Sequence, residues 1–212
     1  MKIVQRLLYF IGIVCLLFVV YYRVWFLRQP ERNIPTDATA FISPANGKIV
    51  SIKTYNTTLL DETKQETGVI KLWTQDVDTA GTIISIQMNV ANVHYQRAST
   101  DATLIDKRHV PGDYKNAVVM SNDFGIRFEN EHNEMLFETT SGTKYKLIQI
   151  AGFVARRIED YLTPDQKIKK GDVIGLIKLG SQVTVVLPKS AVVTAKVGDL
   201  VIDGESILAK ID

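Results

Sequence analysis

Ile84-Ser85-Ile86-Gln87-Met88 alternates apolar and polar side chains with a period of two, the spacing of a half-buried β-strand rather than a helix. Two other stretches read the same way. Lys144 to Ile150 is rich in residues that favour strands, and Val183 to Leu187 is apolar except for Thr184, as expected of a strand covered on both faces. Between such runs lie turn signals: Asn46-Gly47, Pro111-Gly112-Asp113, Ser141-Gly142, Lys170-Gly171-Asp172 and Asp203-Gly204. After residue 33 no helical periodicity runs long enough for a bundle. The body of the chain is therefore expected to be mainly β.

A weak internal echo narrows the architecture. Lys170-Gly171-Asp172-Val173-Ile174-Gly175 is similar to Val197-Gly198-Asp199-Leu200-Val201-Ile202-Asp203-Gly204. With Ser43-Pro44-Ala45-Asn46-Gly47-Lys48-Ile49-Val50, these segments resemble the half-motifs of biotinyl/lipoyl-type sandwiched barrels. The expectation is a sandwiched β-barrel or β-sandwich with lipoyl-like hairpin elements. The local sequence of a modifiable carrier lysine is missing, so the likeness concerns architecture.

The chain has 212 residues, a length that fits one compact domain and an accessory segment. From Leu7 to Tyr22 no residue is charged, and the stretch to Leu27 would span about 31 Å as a helix, enough for a bilayer core. It ends in Tyr21, Tyr22, Arg23, Val24, Trp25 and Phe26, which suits the aromatic belt of an uncleaved anchor and not the small residues of a signal-peptidase site. Residues 1–28 are assigned to this single transmembrane helix, 29–37 to a polar linker with Pro30 and Pro35, and 38–212 to the functional domain. Lys2 and Arg6 on one side nearly balance Arg23, Arg28 and Arg32 on the other, and a cytoplasmic domain at the cell membrane is the expected orientation.

Charge excludes some partners. Of 25 Lys and Arg against 23 Asp and Glu, residues 1–33 hold five basic and one acidic, leaving a slightly acidic body without the concentrated basic surface a nucleic acid needs. The single cysteine, Cys15, can build neither a disulfide framework nor a cysteine zinc site. His94, His109 and His132 lack the close spacing of metal ligands, so no metal is expected. Walker loops, dinucleotide fingerprints and GxSxG elbows do not occur. Lys167, Lys169 and Lys170 read as a solvated strand edge.

Longer motifs carry the reading further. Met88-Asn89-Val90-Ala91-Asn92-Val93-His94-Tyr95-Gln96-Arg97 resembles the MNVxNVHxNR signature of the short phosphatidylserine decarboxylase family. In the same order, Phe26 to Arg32 is similar to its FFRDPxR segment, Ser43 to Gly47 to its SPADG, and Pro111-Gly112 falls at its PG turn. Glu129-Asn130-Glu131 resembles its DNER-like segment, Gln149 to Arg157 its QIAGxxARR, and Ile177-Lys178-Leu179-Gly180-Ser181-Gln182-Val183 its FGSxV. The likeness covers nearly everything from residue 26 onward.

The resemblance implies a self-cleaving zymogen. Ser181 would attack the Gly180 carbonyl, and elimination would leave a β chain of residues 1–180 and an α chain of 32 residues that starts with a pyruvoyl group made from Ser181. Its ketone would form a Schiff base with phosphatidylserine, an aminophospholipid of the membrane, and release carbon dioxide and phosphatidylethanolamine. By the same resemblance His94 is the general base, and Arg156 and Arg157 are candidates for contacting the lipid phosphate or carboxylate. The two chains would stay together as a heterodimer, and a higher homo-oligomer is compatible with the family. Gln29 for the family's aspartate and Gln87 for an apolar residue are small departures, but one bears on the chemistry: Asn46 stands where SPADG carries the aspartate that orients the histidine, and an amide cannot supply that charge. Slower processing, replacement by another carboxylate such as Asp113 or Glu131, and a non-cleaving, inactive relative all remain open. So does a membrane-anchored adaptor with a lipoyl-like barrel, which would need a long helical hairpin between the barrel halves.

Overall fold

The computed structural model describes residues 2–58, 65–112, 130–152, 157–178 and 181–212. Helix α1 (Lys2–Val20) runs into a π-helical segment, Tyr21–Phe26. The first strands are β1 (Ala40–Ile42), β2 (Gly47–Asn56), β3 (Ala80–Met88), β4 (Tyr95–Arg97) and β5 (Ala102–Val110), with helix α2 (Gln65–Thr74) between β2 and β3. Strands β6 (His132–Thr139), β7 (Lys144–Ala151), β8 (Arg157–Asp160), β9 (Lys167–Ile168) and β10 (Val173–Lys178) follow. Last come β11 (Ser181–Pro188), β12 (Val192–Val193), β13 (Leu200–Val201) and β14 (Ile207–Lys210). Eight strands form one antiparallel sheet in the order β13-β2-β3-β11-β7-β6-β5-β9, curled into a half-barrel, and two three-stranded sheets, β4-β10-β8 and β1-β14-β12, complete the mainly β fold.

The strands read from the sequence are the middle of the large sheet: β11 lies between β3 and β7, with Val183 opposite Ile86 and Gln149. Ile84, Ile86 and Met88 meet Val183, Val185, Leu187, Leu147 and Phe41 in the main core. The alternation of β3 did not mean a wet second face. Ser85 is fully buried and its hydroxyl lies 3.2 Å from that of Thr184, while Ile83, Ile148, Ile150 and Val186 on the α2 side pack with Trp73. Helix α2 has low intrinsic propensity, with Gly68, Val69, Ile70 and two threonines, so strand-type punctuation hides it; burial of Trp73 makes it worth forming. Among the described residues of the body it is the one α-helix, and the long hairpin an adaptor would need is not among them.

The echo between residues 170 and 204 proves to be a repeated turn. In Lys169-Lys170-Gly171-Asp172 and Lys196-Val197-Gly198-Asp199 the aspartate Oδ2 accepts from the lysine N–H at 2.7 and 2.8 Å. Each aspartate N–H returns a bond to the lysine carbonyl, and each glycine takes a positive φ, +92° and +100°, that a side chain would strain.

Residues 3–26 form a helix long and apolar enough to cross a membrane, with side chains exposed around most of its length. The segment after it is pinned to the body. Asp203, fully buried, receives Arg32 at 2.5 and 3.3 Å and Arg97 at 3.0 Å, and Arg97 also donates to the carbonyls of Gly171 and Pro30 at 2.8 and 3.2 Å. Two nearly buried guanidinium groups thus share one carboxylate. Removing that charge leaves both uncompensated, so Asp203→Asn should lower stability by about 3 kcal/mol, read as a fall in the urea midpoint. An unchanged midpoint would show that the clamp contributes nothing.

Candidate active site

Strand β3 stops at Met88 because the next four residues close on themselves. The Asn92 side chain accepts from the Asn89 N–H at 2.8 Å, and the Asn89 side chain accepts from the Ala91 N–H at 2.9 Å, a doubly locked Asx turn. That turn delivers His94, which is fully buried. Its Nδ1 lies 2.9 Å from the Asn92 carbonyl. A carbonyl only accepts, so Nδ1 carries the proton and Nε2 presents its lone pair, with no hydrogen-bond partner among the described residues. Burial, followed by the positive charge of Arg28, outweighs the Asn92 bond and lowers the histidine pKa from 6.5 to about 4. The imidazole is therefore a neutral acceptor across the physiological range.

The backbone brings Ser181 to the same end of the sheet. As the first residue of β11 it pairs with Met88 on one side and Ala151 on the other. Four residues earlier, the Ile177 N–H donates to the His94 carbonyl at 3.2 Å. The chain from Ile177 to Ser181 is thus tied at both ends to the segment from His94 back to Met88. Gly180 and Arg156 lie outside the described residues. Arg157 opens β8 opposite Lys178, largely exposed, with its guanidinium 3.3 Å from Glu159. It sits beside the site and is free to face solvent.

Asn46 also arrives at this end, though not against the imidazole. Its Oδ1 accepts from the Asn92 Nδ2 at 2.8 Å, so it braces the turn that carries the histidine. The next residue must be glycine: a Cβ on Gly47 would lie 2.2 Å from the Gln87 carbonyl oxygen. The ring's described hydrogen bond is to the Asn92 carbonyl. Asn46→Asp keeps an acceptor for the Asn92 amide and should change any cleavage rate by less than about tenfold, followed by intact mass over time. A larger gain would show that the charge acts on the ring itself.

Of the other carboxylates considered, Asp113 lies outside the described residues, and Glu131 lies 3.7 Å from His109. His132 is buried elsewhere, 3.4 Å from Glu134. Burial alone would raise the Glu134 pKa, but bonds from His132 and Arg108 and the charge of Lys146 hold it down at about 2.

Sequence reasoning missed the supports. Gln96 donates to the His94 carbonyl at 2.7 Å and accepts from Gln149 at 2.8 Å, which in turn accepts from Asn133 at 3.1 Å. The Phe26 ring lies 4.1 Å from the imidazole, between centroids. Asn89 and Asn92, three apart before a histidine, were a legible turn signal; the amide chain and Phe26 join residues too distant in sequence to leave one.

Comparison with known proteins identifies the family. The sequence model of the family described as phosphatidylserine decarboxylase matches residues 21–209. The phosphatidylserine decarboxylase proenzyme of Chlorobaculum parvum is 36% identical over 188 residues, 89% of this chain and 78% of its own. That of Geotalea uraniireducens is 33% identical over 185 residues, 87% of this chain and 77% of its own. The Desulfotalea psychrophila proenzyme is 36% identical over 191 residues, 90% and 79% of the two chains. With the match running from the end of the anchor to the last strand, the chain belongs to the phosphatidylserine decarboxylase family.

Proposed function

We propose that this protein is a proenzyme that cuts itself between Gly180 and Ser181 and then decarboxylates phosphatidylserine to phosphatidylethanolamine. One observation carries the reading: a buried, neutral His94 with a free Nε2 lone pair, in the loop that follows Met88, the strand partner of Ser181. In the cut, the Ser181 hydroxyl attacks the Gly180 carbonyl while its proton passes to Nε2, and the peptide C–N bond gives way to an ester. Loss of the Ser181 α-proton then expels the Gly180 carboxylate from Cβ. Water replaces the nitrogen, ammonia leaves, and residue 181 is left as pyruvoyl.

The residues present fit that group. Ser181 holds it at the head of an interior strand, and His94 adds a buried acceptor that no described residue occupies. When formed, the group supplies a ketone that takes the substrate amine and accepts the electron pair left by departing carbon dioxide. His94, made more acidic than usual by burial, is suited to returning a proton to the carbon that loses carbon dioxide. Arg157, largely exposed at the start of the strand paired with Lys178, would offer a cation for the lipid phosphate or carboxylate. The apolar helix would hold the domain against the bilayer that contains the substrate, on its cytoplasmic side.

Mixed micelles of phosphatidylserine provide the test. Phosphatidylethanolamine should form, and borohydride added during turnover should fix substrate to the short fragment alone and end activity. Product without substrate fixed to that fragment would refute the pyruvoyl chemistry; an uncut, inactive chain would refute the whole reading.

A further inference from the structure

The end of the anchor is built into the site. Along the inner face of the helix, Phe18 stacks on Tyr22 at 6.3 Å and Tyr22 on Phe26 at 5.3 Å, with planes 18° and 9° apart. The ladder continues off the helix, since Phe26 lies 4.1 Å from the His94 ring at a tilt of 31°. Phe18 is mostly exposed, where lipid would be, whereas Phe26 and His94 have no exposed surface. A chain of four rings thus runs from the span to the proposed base.

Two hydrogen bonds fix the register of this contact. The Tyr21 hydroxyl donates to the Val90 carbonyl at 2.8 Å, and Arg28 Nη2 donates to the Ala91 carbonyl at 2.7 Å, both in the turn before His94. The residues that make these contacts bracket the π-helical segment, Tyr21–Phe26. A π-helix closes bonds between residues five apart and is rare, recurring where a side chain must be re-aimed at a functional site. Here it sets Tyr21 on the turn and Phe26 under the histidine.

We propose that Phe26 is a positioning residue for the reaction: its ring, delivered by the end of the membrane helix, holds the imidazole plane of His94 and keeps water from that face. The anchor is then a wall of the site as well as a tether. This inference rests on the reading of His94 as the base. The groups shown against the imidazole are the Phe26 ring, the Asn92 carbonyl of its own turn and the charge of Arg28 beyond the π-helical segment; among the described residues Arg28 is the charged one.

The experiment separates position from chemistry. Histidine titration by NMR is followed in full-length Ser181→Ala protein in micelles, which cannot cut itself, with Phe26 intact, as Phe26→Leu and as Phe26→Ala. Opening that face to water should raise the His94 midpoint by more than one pH unit in Phe26→Ala, with Phe26→Leu, which keeps bulk without a flat ring, in between. In chains that retain Ser181, the acid limb of the cleavage-rate profile should rise by the same amount. Exchanging residues 3–17 for an unrelated apolar helix of equal length should move neither. An unmoved His94 midpoint in both Phe26 variants, each shown folded by a cooperative urea transition, overturns the inference; if Phe26→Ala does not fold, Phe26→Leu decides. A moved midpoint in a protein whose Ser181 form never cuts itself would instead overturn the proposed function and leave the positioning intact.

Discussion

Purified Ser181→Ala protein should give one species of 23.8 kDa and no phosphatidylethanolamine, where the wild type gives two fragments. The shorter would weigh about 3.6 kDa, which is 23.8 kDa × 32/212. The loss should be complete because the substitution removes both the nucleophile of the cut and the β-oxygen whose departure lets residue 181 become a ketone. No neighbouring hydroxyl inherits the position: Thr184 lies three residues along β11, its hydroxyl spent on Ser85 and Gln182. Alanine adds no volume and leaves the strand pairing to Met88 and Ala151 in place, so an unfolded variant is not the expected cause. A 3.6 kDa fragment from the alanine chain would show that the cut does not need the Ser181 hydroxyl and dismantle the proposal.

His94→Gln should slow the cut by about 10²–10⁴-fold, the usual worth of a positioned general base. Glutamine keeps polar reach and removes the proton acceptor with an adjustable charge. The wild-type rate should stay level from neutral pH to about 5 and fall through the lowered pKa of about 4, since only the neutral ring accepts a proton. Stability carries the same signature. Between pH 4 and 6.5 the unfolded chain binds a proton that buried His94 refuses, so stability rises with pH in that window and is lost as pH falls through it. The full swing is about 3 kcal/mol for a shift of that size. In the Ser181→Ala background, urea midpoints at pH 4.5 and 7.5 should differ less once His94 is replaced; an equal difference would assign the pH dependence to other groups.

Strands β3, β7 and β11 were legible because interior strands must present apolar residues at fixed intervals. Helix α2 was not, since Trp73 earns its place through packing that no local pattern records. His94, Ser181 and Asn46 could be named from motifs, and the backbone gathers them at one end of the sheet. Their working relations could not: the imidazole's described hydrogen bond is to the backbone of Asn92, two residues away, and not to the side chain at 46. Likewise Arg32 and Arg97 sit in recognisable motifs, yet their shared partner Asp203 is 171 and 106 residues distant. Contacts closed over such separations depend on the final topology and leave no periodic trace.

The place of β11 would make the proposed cut hard to undo. Residues 181–212 contribute β11 to the middle of the large sheet, β13 to its edge beside β2, and β14 between β1 and β12. A severed chain would therefore remain an interlocked pair, because separating the pieces means opening the sheet on both sides of β11. Once denatured, however, the two pieces would have to find each other by diffusion, with an unpaired slot between β3 and β7 inviting aggregation meanwhile. An uncut precursor would fold as a single molecule, whereas a severed form would depend on its slow unfolding to persist.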